Sequence, residues 1–152
     1  MSPPNKLARK LNRKQIQGTF EQALALHRNG DLAAASRLYE AILEVEPRHF
    51  DSLHMLGGAA MQSQQLERGV DLIRRATAAN PTSALAHFNL ASGYRALGRC
   101  EDAVGSCDKA IALRPDYPEA YYSRGLALRN LNRPDDAVAS FDKAIALRPD
   151  FA

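Results

Sequence analysis

"DKAIALRPD" runs from Asp108 to Asp116 and again from Asp142 to Asp150, so nine residues are spelled identically 34 positions apart. A catalytic loop is needed once, whereas a literal copy at this interval marks a structural unit that is repeated. Pro47, Pro81, Pro115 and Pro149 keep the same interval and divide the chain into four units, 16–49, 50–83, 84–117 and 118–151. With positions numbered 1 to 34 inside a unit, position 8 is always small (Ala23, Gly57, Ala91, Gly125), and so is position 20 (Ala35, Gly69, Ala103, Ala137). Position 24 carries the fillers Tyr39, Ile73, Cys107 and Phe141. Small residues recur where two helices approach closely, and larger ones recur where a gap must be filled.

Each unit splits into two stretches of about 14 residues with apolar spacing of a helical kind. Gly30 and Gly98 stand at position 15, where the first helix must stop, and Asn132 is an acceptable left-handed substitute in the last unit. Asp31 fits an N-cap of a second helix, and Pro134 fits the first turn of another, where its missing N–H costs nothing. Glu101, Asp102, Asp135 and Asp136 crowd second-helix N-termini while Arg114 and Arg148 close the C-termini, as the helix dipole favours. These carboxylate pairs are therefore capping residues and not acid–base pairs. A hairpin of this size cannot keep both apolar faces dry, so neighbours stack into a continuous core. The nonapeptide is the end of a second helix plus its terminating proline, repeated because each hairpin presents the same surface to the next.

Composition sets the limits. The chain has 152 residues, 45% of them apolar and 24% charged, which suits an ordinary globular fold. No apolar run approaches the ~20 residues a membrane span needs, and the N-terminal stretch has no signal-peptide h-region; a cytoplasmic protein is expected. The formal net charge of +3 includes Lys6, Arg9, Lys10, Arg13 and Lys14, with no acid among the first fifteen residues, so the remaining body sums to −2. Residues 1–15 read as a basic flexible tail, and the body lacks the positive field that a phosphate backbone requires. Nucleic acid is not an expected partner. Cys100 and Cys107 are seven residues apart on one expected helix, ~10 Å along its axis and beyond disulfide reach.

The units carry a further pattern. HFNLASGYRALG (87–98) followed by Ala103, Cys107 and Pro115, and YYSRGLALRNLN (121–132) followed by Ala137, Phe141 and Pro149, resemble the tetratricopeptide repeat (TPR) signature over residues 16–151. The resemblance implies an all-α fold, a right-handed superhelix of four antiparallel helix-turn-helix repeats, and a role as a protein-interaction scaffold without catalysis of its own. Thr19 and Gln22 depart from the signature in the first unit, and Arg124 replaces a leucine in the fourth.

In arrays similar to this one the first helices line a concave groove, through positions 2, 5, 6, 9, 12 and 13. Position 5 gives Phe20, His54, Phe88 and Tyr122, a series of flat rings, and position 12 gives His27, Met61, Arg95 and Arg129. With Leu24 and Asn89 these form the expected partner-binding set, suited to an extended peptide or a partner helix: rings supply apolar area, and arginine a planar fork for carboxylates. Rings at helical spacing also serve as core, and both roles are open at this stage. The carboxylate clamp of chaperone-tail binders fits poorly, because only Asn89 matches it in either register. Units three and four also resemble the arrays that precede O-linked N-acetylglucosamine transferase-like domains, which implies an alternative role as the docking segment of a longer enzyme. The asparagine ladder of those arrays is essentially missing, position 6 reading Glu21, Met55, Asn89 and Ser123.

Chemistry is hard to find. His27, His49, His54 and His87 have no cysteine or acid at zinc-like spacing, so no metal or other cofactor is expected. Cys107 sits at an interior position and reads as a small buried hydrophobe. After Pro149 the chain echoes the start of another unit in Asp150 and Phe151. Either the chain is cut from a longer array, or its last repeat self-associates with another copy.

Overall fold

The computed structural model describes residues 11–151, with side chains described to Asp150. Among the described residues eight α-helices follow one another: α1 (Ile16–Arg28), α2 (Leu32–Val45), α3 (Phe50–Gln62), α4 (Leu66–Ala79), α5 (Ala84–Ala96), α6 (Cys100–Leu113), α7 (Pro118–Asn130) and α8 (Pro134–Leu147). Successive odd-numbered helices start 34 residues apart, and so do successive even-numbered ones. They form antiparallel pairs, α1 with α2, α3 with α4, α5 with α6 and α7 with α8, and no strand occurs among the described residues. The helices fall into two compact units, 1–79 holding α1 to α4 and 80–152 holding α5 to α8. Within the first unit α2 also packs on α3, and within the second α6 packs on α7.

Of the basic N-terminal segment, residues 1–10 lie outside the described residues. Leu11 packs against the first unit's core, and Arg13–Gln15 form a single 3-10 turn. The Asn12 N–H donates to Gln15 Oε1 at 3.0 Å there.

All four tight turns inside the pairs use one device. Position 15 takes positive φ each time: Gly30 at 83°, Gln64 at 61°, Gly98 at 74° and Asn132 at 56°. The next N–H reaches back to a carbonyl five residues earlier: Asp31 to Leu26 at 3.0 Å, Gln65 to Ala60 at 2.8 Å, Arg99 to Tyr94 at 2.8 Å, and Arg133 to Leu128 at 3.0 Å. This closes the end of each first helix. Gln64 is the exception in chemistry: glycine has no Cβ and asparagine visits the left-handed region readily, whereas another side chain is strained there by roughly 1–2 kcal/mol. Gln64→Gly is therefore expected to stabilise the chain by about 1 kcal/mol, net of the entropy glycine loses on folding. A thermal melt should show Tm rising by ~2–4 °C, and no rise would mean that the turn carries no strain at this residue.

Side-chain caps complete the ends. Asp31 accepts from the Ala34 N–H at 3.0 Å, His49 Nδ1 from the Ser52 N–H at 3.2 Å, and Ser83 Oγ from the Ala86 N–H at 3.2 Å. Arg99 and Arg133, which precede α6 and α8, instead bind the first-turn carboxylates of Asp102 and Asp136.

The cores follow the small-and-large pattern. In the first unit Tyr39, Ile42, Leu53 and Ile73 are the largest fully buried side chains, and α3 crosses α4 where Gly57 faces Gly69. In the second unit Leu128 and Cys107 are fully buried, and the Phe141 ring fills the space in front of Gly125. Arg124, at a position where the repeat signature has leucine, joins three helices. Its Nε donates to Asp108 Oδ1 on α6 at 2.6 Å and its Nη1 to Ser140 Oγ on α8 at 2.8 Å.

Candidate functional site

The ring series at position 5 divides between the two units. In the first, the Phe20 ring is spent on the core: it is 9% exposed, with ring centroids 5.8 Å from Tyr39 and 5.5 Å from His49. His54 is half-buried and stacks on Phe50 one turn earlier, centroids 5.6 Å apart. Burial lowers the His54 pKa from the ordinary imidazole value, and the nearby Asp51 carboxylate opposes that shift. Leu24 packs against the same core, and His27 Nδ1 lies 3.5 Å from the Tyr39 hydroxyl. Met61 is half-buried with its side chain in front of Gly69. These residues are brought together chiefly to pack the first unit.

The second unit is different. Tyr122 is 41% exposed and rests on Phe141, ring centroids 5.5 Å apart. Phe88 is half-buried on the neighbouring α5, 5.1 Å from the buried ring of Tyr117 and packed against Ala110 and Ala120. Since α5 and α7 touch, the two rings belong to adjacent first helices. Asn89, half-buried, follows Phe88 in sequence, and Ser92 Oγ donates to the Phe88 carbonyl at 3.2 Å. Arg129 is exposed near the end of α7. Arg95 is half-buried, close enough to influence the Cys107 thiol, and its Nε has no hydrogen-bond partner among the described residues. A shielded donor without a partner is uncommon, because it forfeits the hydrogen bonds water would supply.

Sequence reasoning did not single out Tyr117. Its ring is 4% exposed, and the Arg114 guanidinium carbon lies 3.3 Å from its centroid. Desolvation raises the Tyr117 pKa and the Arg114 charge opposes that rise. The signal was available, since Tyr117 ends the third unit where the first and second units have His49 and Ser83. Its role is structural: it seats α7 on α6.

Cys107 is fully buried, and burial pushes its thiol up to about 11, with the Ser123 hydroxyl acting the other way. Among the described residues no three or more His, Cys, Asp or Glu side chains gather as a metal site would require. No described helix is long and apolar enough to cross a membrane. A cleft of about 460 Å³ in the first unit, between α2 and α4, is lined by Glu40, Glu44, Arg68 and Arg75 over Leu43 and Leu72. The Arg68–Glu40 ion pair spans it.

Comparison with known proteins agrees with this architecture. The sequence profile of the tetratricopeptide repeat matches residues 20–84 and 88–150. A crystal structure of MamA superimposes with a TM-score of 0.85 at 22% identity, over 98% of this chain and 82% of that one. MamA residues 41 to the end from Desulfovibrio magneticus RS-1 superimpose with a TM-score of 0.83 at 20% identity, over 91% of this chain and 78% of that one. At these identities the likeness concerns the fold. No curated protein sequence matches the chain.

Proposed function

This chain belongs to the tetratricopeptide repeat family, a scaffold for protein interactions, and on that footing we propose that an extended peptide or a partner helix docks across the first helices of its second unit. The observation that carries the reading is the exposed Tyr122 ring on α7 and the half-buried Phe88 ring at the matching position of the adjacent α5, with Arg95 and Arg129 on the same two helices. Exposed aromatic area gives such a surface its binding energy, and the arginines favour a ligand carrying carboxylates. The chain is read as non-catalytic and cytoplasmic. The first unit's Phe20, Leu24, His27, His54 and Met61 are assigned to packing more than to contact.

The proposal is checked by panning a phage library of short random peptides on the chain and on Tyr122→Ala, alone and combined with Phe88→Ala. Peptides selected on the natural sequence are expected to lose about tenfold in affinity for Tyr122→Ala and more for the double variant, with far-UV circular dichroism unchanged for the exposed single site. Undiminished binding by both variants would remove the surface from consideration.

The docking segment of a longer glycosyltransferase-like enzyme finds no favouring observation, because Glu21, Met55 and Ser123 occupy three of the four ladder positions. Self-association through the last repeat does have one: Val138 is 56% exposed and Ile145 42% exposed on a single face of α8. That is a second contact surface on the same scaffold.

A further inference from the structure

Two exposed helix faces, one on α1 and one on α8, correspond in repeat position to the two sides of the contact between α6 and α7. The receiving half is seen on α6. There Ile111 is half-buried against Ala110, Tyr117 and Ala120, Val104 is half-buried, and Asp108 holds Arg124 of α7 at 2.6 Å. Helix α8 repeats the same spelling in a different setting. Val138 and Ile145 are open to solvent, and Asp142 is exposed with no ion pair among the described residues. The inserting half is one face of a first helix. On α7 this face is Ala120, Arg124 and Ala127, both alanines fully buried, and on α3 it is Ser52, Leu56 and Ala59, all at most 2% exposed. The matching residues of α1 are Gly18, Gln22 and Ala25, and all three are exposed. A Cβ placed on Gly18 would meet nothing within 4 Å.

We infer that copies of this chain stack head to tail, with α1 of one copy seated on the Val138–Ile145 face of α8 of the next. The inference rests on the self-association reading above and specifies its geometry. Three features argue for a second copy as the occupant. The same nonapeptide already accepts a first helix inside this chain, so the surface on α8 has the chemistry that such a helix fits. Small residues at Gly18 and Ala25 give the branched Val138 and Ile145 room to enter, as ridges enter grooves in helix packing. Charge also favours the contact: Arg13 and Lys14 are exposed just ahead of α1, and the α8 face carries the exposed carboxylate of Asp142, while Asp150 already faces Arg148 at 3.9 Å. Opposite Asp142, the Gln22 carboxamide takes the place that Arg124 holds opposite Asp108. Because the two surfaces differ, the contact is heterologous: a dimer leaves one copy of each surface unused, so further copies add to a ring or to an open string.

The test is light scattering over a concentration series on the full chain and on two variants, each blocked at one end, Gly18→Glu and Ile145→Lys. Both sites are exposed, so both variants are expected to keep the circular dichroism of the natural chain, and Ala25→Glu serves as a second block on α1. The natural chain is expected to gain mass beyond a dimer as concentration rises. Each variant should remain monomeric alone, and an equimolar mixture should give a heterodimer, since one good copy of each surface remains. A natural chain that is monomeric throughout overturns self-association altogether. If the natural chain and Gly18→Glu both associate while Ile145→Lys does not, self-association stands through α8 against α8, and the head-to-tail arrangement is overturned.

Discussion

Gly69→Val is expected to cost about 3 kcal/mol of folding stability, the upper end of what forced overpacking does to a core. A Cβ at residue 69 would sit 2.9 Å from the Gly57 carbonyl oxygen and 3.1 Å from the Met61 backbone nitrogen, and against the Met61 Cγ. The first two are backbone atoms that cannot rotate away, so α3 and α4 must part. Separation would loosen Ile73, whose Cγ1 and backbone nitrogen lie where a Cβ on Gly57 would go. Against this stands a gain of a few tenths of a kcal/mol, because valine is a better helix former than glycine. A domain of ordinary stability holds only ~5–15 kcal/mol in reserve. Urea denaturation followed by circular dichroism measures the loss, and Gly105→Ala is the control: Gly105 is exposed in α6 with nothing near its missing Cβ. That substitution should stabilise by up to ~1 kcal/mol. A loss under ~1 kcal/mol for Gly69→Val would show that the two helices can part freely.

Tyr39→Ala is expected to cost more, about 3–5 kcal/mol. Tyr39 is fully buried between α1 and α2, with its ring 5.8 Å from Phe20 and 6.2 Å from His27. Burial also raises its hydroxyl pKa, Arg28 acting in the opposite sense. Truncation leaves a cavity that the paired helices cannot close without moving several residues. Tyr39→Phe separates the contributions, because it removes only the hydroxyl, whose contact with His27 at 3.5 Å is at the long limit of a hydrogen bond. That substitution should cost about 1 kcal/mol or less. Equal losses for the two variants would place the energy in the hydroxyl and contradict the packing argument.

The fold was readable because its punctuation is local. Glycine or asparagine at position 15, the Asp31 cap and the proline at the end of each second helix act within a few residues, so their chemistry is visible without neighbours. Gln64 escaped that reading. Its left-handed turn is imposed by the pairing of α3 with α4, which overrides the preference of the residue itself. Depth was harder still: Phe20 and Tyr122 hold the same position in their units, yet one is buried and the other exposed. What separates them is the partner at hand, Tyr39 and His49 for Phe20 and Phe141 for Tyr122, and periodicity gives the direction of a side chain without its surroundings. Arg124 looked like a lost leucine. Its partners Asp108 and Ser140 lie sixteen residues away on either side, on separate helices, so the link exists only once α6, α7 and α8 are assembled.

The contrast between the two thiols has a practical consequence. Alkylating reagents attack the thiolate, and Cys107 is fully enclosed with its proton held to about 11, while Cys100 is only half-buried at the first residue of α6. The unaltered chain thus offers one reactive sulfur to a maleimide dye or a nitroxide, and no cysteine has to be engineered in or out. A label at Cys100 would sit at the turn between α5 and α6, beside the helix that carries Phe88 and Arg95. Its fluorescence or spin mobility would report occupancy there directly.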